Sequence, residues 1–153
     1  SLVGSEMCIR DRSYKYARRQ WNLVDNKELC YCYLGDFDKA MIKTIKSEKN
    51  FNKTPVQEIW HNDGDQVLAY MRGDLLFVFN FSPTRSFTDY GFLVPTGAYS
   101  IVLDTDNKEF GGNGLNDDSM THLTTYDPLY VGDRKEWLKL YLPARSALVL
   151  KKN

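Results

Sequence analysis

No charge of one sign prevails in this sequence, because its 20 Lys and Arg are matched by 20 Asp and Glu. Phosphate binding through counterion release needs a basic surface, so no nucleic-acid partner is expected. Long apolar runs are missing too. The longest, Leu75-Leu76-Phe77-Val78-Phe79, suits one buried strand and falls far short of the ~20 residues that cross a bilayer. No membrane partner is expected. Cysteine is sparse and odd in number, with Cys8, Cys30 and Cys32 all near the N-terminus. That argues against a secreted disulfide framework and makes reduced thiols, hence a cytoplasmic location, the expectation. His61 and His122 stand apart, so Cys30-Tyr31-Cys32 lacks the second ligand pair that a zinc site requires.

Motifs for chemistry are equally scarce. Asp104-Thr105-Asp106-Asn107-Lys108-Glu109 fails as a calcium loop, since Lys108 occupies the fifth position and Glu109 the sixth, where Gly belongs. A solvated loop is the ordinary reading. Gly111-Gly112-Asn113-Gly114 lacks the Lys-Ser/Thr of a phosphate loop and the third glycine of a dinucleotide fingerprint; these glycines serve turns with positive φ. Asp36 and Asp38 lie two apart on a helix and face different ways, as surface charges do. Neither histidine is tied by motif to a nucleophile. The sequons at Asn52 and Asn80 are discounted, the second because it falls at the end of a buried strand. No catalytic, cofactor-binding or metal residue is expected, and no cofactor.

What the sequence has is order of two kinds. Residues 1–12 (SLVGSEMCIRDR) share no periodicity with the rest, resemble a translated sequencing adaptor, and are expected to be a non-native tail. Tyr14 to Trp21 is free of Gly and Pro and reads as helix. Asp25, with Glu28 three residues on, has the spacing of a capping box. Beyond it Leu29, Tyr33, Leu34, Phe37, Ala40, Met41 and Ile45 trace one stripe of a helix of roughly five turns. Gly35 inside that helix marks close packing against another element. Residues 49–55 are polar, end in Pro, and read as a linker.

After the linker the hydrophobic period switches from helical to two. Candidate strands run Gln57 to His61, Gln66 to Arg72, Leu75 to Phe81, Phe87 to Val94, Ala98 to Asp104, Met120 to Tyr126, Glu136 to Leu142 and Ser146 to Lys151. Asn62-Asp63-Gly64-Asp65 is the signature of a tight hairpin. Leu75 to Phe81 is apolar on both faces and belongs in the centre. Phe87 to Val94 and Ala98 to Asp104 are expected to pair around Pro95-Thr96-Gly97, and a long loop runs from Thr105 to Asp118. The fold class is mainly β, an antiparallel sandwich of about eight strands of Greek-key type, preceded by two α-helices. Trp60, Tyr90, Tyr130 and Trp137 are candidates to stack on sugar rings, against the ordinary expectation that aromatics in a sandwich are core.

Long motifs then carry a resemblance. Tyr16-Ala17-Arg18-Arg19-Gln20-Trp21-Asn22-Leu23 and Tyr33-Leu34-Gly35-Asp36-Phe37-Asp38-Lys39-Ala40-Met41 resemble the last barrel helices of the 1,4-α-glucan branching enzymes, in the α-amylase superfamily. Arg72 to Thr84 (RGDLLFVFNFSPT) resembles the hallmark strand of their C-terminal all-β domain. Phe87-Thr88-Asp89-Tyr90, Val102 to Asp106, Phe110-Gly111-Gly112 and Tyr141 to Leu150 match in the same order. Ser82 departs from the family's usual His, and Asn113 from its common His or Gln, which touches loop detail.

The resemblance implies an enzyme that cleaves an α-1,4 link and rejoins the chain through an α-1,6 link, by a retaining mechanism with two carboxyl groups. It also implies a division into 13–48 as terminal helices of the catalytic (β/α)8 barrel, 49–55 as linker and 56–153 as the all-β domain. The catalytic carboxylates would project from barrel strands absent here. The expected role is therefore structural, with the missing catalytic barrel as partner and α-glucan as the parent's substrate. Two other readings compete: a free-standing glucan-binding module, and the C-terminal domain of a related α-amylase-superfamily hydrolase.

Overall fold

The computed structural model describes residues 22–126 and 136–153. The helix expected over Tyr14 to Trp21 and the candidate Tyr130 lie outside them. Contacts divide the chain into a unit ending at Gly35 and a unit running from Asp36 to Asn153.

In the first unit a short helix, α1 (Asn22–Asp25), is followed by a turn before α2 (Tyr31–Ser47) begins. The expected capping box does not form. Asn26 takes over instead: its Oδ1 accepts the amide of Glu28 at 3.0 Å, and its carbonyl accepts the amide of Leu29. An Asn side chain that closes such a turn competes with helical hydrogen bonds, so the helix starts at Tyr31 and leaves Leu29 outside it. Gly35 does mark a close approach, since a Cβ there would collide with Cγ1 of Val24.

In the second unit nine strands are seen among the described residues. Six form one antiparallel sheet in the order β1-β2-β3-β9-β5-β6, and three form another in the order β4-β8-β7. They are β1 (Gln57–Asn62), β2 (Val67–Arg72), β3 (Leu75–Asn80), β4 (Phe87–Phe92), β5 (Ala98–Asp104), β6 (Thr121–Leu123), β7 (Thr125–Tyr126), β8 (Glu136–Leu142) and β9 (Ser146–Lys152). The first three form a meander, its opening hairpin closed around Asp63-Gly64 as expected. The chain then changes sheets after β3, β4, β6 and β8.

Two expectations fail here. β4 and β5 are not a hairpin: β4 pairs with β8, while β5 pairs with β9 and β6. Pro95-Thr96-Gly97 carries the chain from one sheet to the other. The expected strand from Met120 to Tyr126 is split at Thr124. Its hydroxyl donates to Glu136 Oε2 at 2.7 Å and accepts the amide of Gly97, so the residue joins the two sheets and leaves the ladder.

Alternation explains the layers. Val67, Ala69 and Met71 of β2, Leu76 and Val78 of β3, Leu148 and Leu150 of β9, and Tyr99 and Ile101 of β5 face inward. There they meet Phe92 and Val94 and the β8 residues Leu138, Leu140 and Leu142. The opposite face of β3, β9 and β5 carries Leu75, Phe77, Val149 and Leu103, covered by Phe37, Ala40 and Met41 of α2 and by Phe51 and Phe110. Strand β3 is thus buried on both faces, as its apolar run required. Of the stripe expected on α2, Phe37, Ala40 and Met41 pack here and Ile45 is half-buried, while Tyr33 and Leu34 are exposed. Leu34 is 67% exposed.

Residues 49–55 are more than a polar tether. Phe51 begins a 3-10 turn (Phe51–Lys53) and lies 6.1 Å from the ring of Phe77. The Arg72 guanidinium sits 4.4 Å over the Phe51 ring and donates to the carbonyl of Thr54 at 3.0 Å. This clamp fixes the segment against the sheet.

Candidate functional site

The acidic loop that failed as a calcium site is solvated at Lys108 and Glu109, as expected, but two of its carboxylates are built into the fold. Asp104 is 2% exposed, and Asp106 is also buried. Asp106 Oδ1 accepts the amide of Asn113 at 3.0 Å, and its Oδ2 accepts the amide of Leu115 at 3.0 Å. Asp104 accepts from the amide of Asp106 at 2.7 Å and from Asn116 Nδ2 at 3.1 Å. Buried carboxylates need such donors, and here the loop's own backbone amides and the Asn113 and Asn116 side chains supply them. Burial, only partly offset by these bonds, pushes the Asp104 carboxyl above its usual range. Gly111 and Gly114 take positive φ as expected, at 78° and 67°. Gly112 has another task, because a Cβ there would strike the Asp106 backbone.

The remaining singled-out residues scatter. Asp36 pairs with Lys39 on the surface at 3.1 Å. His61 and Glu58 lie 2.6 Å apart and exposed, and the carboxylate holds the imidazole above its ordinary value. His122 is half-buried, and burial lowers its value. Cys32 Sγ donates to the carbonyl of Leu29. The sequon residue Asn80 is 2% exposed. Its amide nitrogen lies 2.9 Å from the carbonyls of Arg85 and Pro143 and 3.2 Å from that of Leu142, while its oxygen accepts the amide of Ser82. Asn80 therefore ties the end of β3 to β8 and the following loop. Among the described residues no three His, Cys, Asp or Glu are grouped to hold a metal ion, and no helix is long and apolar enough to cross a membrane.

Three of the four aromatics set apart in the sequence do converge. Trp60, Tyr90 and Trp137 line one surface cleft of about 420 Å³ together with Asn62, Asp65, Asp89 and Lys139. Trp60 Nε1 donates to the Tyr90 hydroxyl at 3.1 Å, and that hydroxyl donates to Asp65 Oδ2 at 3.1 Å. The other oxygen of Asp65 receives Arg85 Nη2 at 2.8 Å, and Arg85 also lies over the Phe87 ring. Burial raises the Tyr90 phenol, which stays protonated and can donate. Sequence alone could not bring the three together, because Trp60 and Tyr90 stand on different sheets.

A family model described as the alpha amylase, C-terminal all-beta domain, matches residues 59–153. The chain belongs to that family. Its matched span contains every strand from Trp60 onward, the buried loop and the cleft. The all-beta domain here is similar in sequence to proteins named 1,4-alpha-glucan-branching enzyme. That of Saccharomyces cerevisiae is 42% identical over 139 residues, 90% of this chain and 20% of the yeast protein. That of Eremothecium gossypii is 42% identical over 142 residues, 92% of this chain. The Dictyostelium discoideum protein is 39% identical over 144 residues, 93% of this chain. The chain thus spans about a fifth of the length of these curated relatives.

Proposed function

We propose that this chain is the C-terminal part of a 1,4-α-glucan branching enzyme, which transfers an α-1,4-glucan segment to a 6-hydroxyl, and that its role there is structural. The observation that carries this reading is the extent of the likeness. Alignments of 139 to 144 residues reach past the β domain into the preceding helices, at 39–42% identity. In this reading residues 13–48 are the terminal helices of the catalytic barrel, 49–55 connect them, and 56–153 form the supporting domain. Among the described residues, the buried carboxylates of Asp104 and Asp106 are spent on amides of their own loop. In this reading the nucleophile and general acid/base of a retaining mechanism are supplied by the barrel, the partner of this piece.

A chimaera tests the proposal. In the yeast relative, the last fifth would be replaced by residues 13–153 of this chain. The chimaera is expected to form α-1,6 branches in linear α-glucan, the yeast protein truncated at the junction is expected to lose activity, and the 153-residue chain alone is expected to show none. Branching by this chain alone would overturn the structural role.

A further inference from the structure

From the cleft lined by Trp60, Tyr90 and Trp137, we infer an accessory binding site for a neutral, linear α-glucan on the β domain. The inference rests on the branching-enzyme reading only for the identity of the sugar linkage; the geometry supplies the rest.

Trp60 is 43% exposed although it is the largest side chain on β1. It is held in place, since its indole N–H is spent on Tyr90, which is anchored in turn by Asp65 and Arg85. A rigid aromatic surface costs little ordering when a ligand lands on it. On the same lining, Asp89 adopts φ +53°, within the irregularity that breaks the β4–β8 ladder between Phe87 and Tyr90. That left-handed backbone is strained for a residue with a side chain. The irregularity brings Phe87, Tyr90 and Phe92, three and two residues apart, against one core. It also places the exposed Asp89 carboxylate on the cleft. Gly91 lies beside the Trp137 indole, where an added Cβ would sit 3.4 Å from its ring.

Indole and phenol surfaces bordered by carboxylates, an amide and one ammonium group suit a ligand that alternates apolar C–H faces with hydroxyls. That is the chemistry of a hexose chain. A phosphorylated or otherwise anionic ligand would meet the exposed Asp89 carboxylate. The cavity volume of about 420 Å³ falls within the roughly 300–1,000 Å³ of small-ligand sites.

Maltoheptaose titrated into the 15N-labelled chain tests the site. The indole N–H signals of Trp60 and Trp137 are expected to shift saturably, and Trp60→Ala to weaken the apparent affinity about tenfold while keeping the dispersed amide spectrum of the folded parent. Trp60→Phe, which keeps an aromatic face, is expected to recover part of that loss. Absence of indole shifts at about 10 mM probe, or unchanged affinity in Trp60→Ala, would overturn the site. Equal binding of cellohexaose would overturn its assignment to α-glucan. A chain that fails to bind while the chimaera still branches would sink this inference and leave the branching-enzyme reading intact.

Discussion

Single residues in this chain decide more than their types suggest. Asp106 looks in sequence like part of a hydrated acidic run, yet its carboxylate organises the loop by accepting two backbone amides. Asp106→Ala is expected to strand those donors and destabilise the chain by about 3 kcal/mol, read from the denaturant midpoint. His122 makes a pH-dependent contribution. Its Nε2 is buried without a hydrogen-bond partner, and burial lowers its folded-state value below the ordinary 6.5. The unfolded chain therefore takes up this proton first, and stability falls as pH drops from 6.5 through the lower folded value. His61 acts in the opposite sense, because Glu58 raises it on the surface. Asp104 contributes in its own sense: burial raises its folded value and favours the protonated form, so its contribution is greatest below 3.8 and is lost as pH rises through the folded value. The variant isolates the effect of His122. His122→Gln is expected to lose less stability than the parent between pH 7.5 and pH 5.5, and an equal loss in both would refute the assignment.

At the scale of elements, burial sets a hierarchy. Strands β3 and β9 lie inside the six-stranded sheet, with ladder partners on both sides. Helix α2 buries no residue completely and leaves Leu34 and Tyr33 exposed. Helices stabilised by a partial apolar face open locally at low cost. Hydrogen exchange is expected to be faster along α2 than along β3 and β9, and equal protection would contradict this. Most strands were legible from period-two patterning, and β5 and β8 match their expected bounds. The pairing of β4 was not legible. A Pro-Gly connection of hairpin length looks the same whether the chain turns back in one sheet or steps across to another.

At the scale of the whole molecule, the core between the sheets joins residues far apart in the chain. Leu150 is fully buried and meets both sheets' apolar faces within it. Leu150→Ala is expected to cost about 3 kcal/mol by thermal or chemical unfolding, more than any single truncation on the exposed part of α2. The same long-range packing assembles the cleft, because the two sheets bring Trp60 and Tyr90 within a hydrogen bond.

The sequence by itself determined the fold class, most strand positions, the double burial of β3 and the family, because period and motif are local properties of the chain. Tertiary structure alone decided which strands are neighbours and where the alternation breaks. Irregularities near Ile59, between Phe87 and Tyr90, and at Val102 each shift the register. At the last of these, Ile101 and Leu103 enter opposite cores although strict alternation would put them on one face. A bulge is favoured by the fit between two packed surfaces, and that fit exists only once both surfaces are in place.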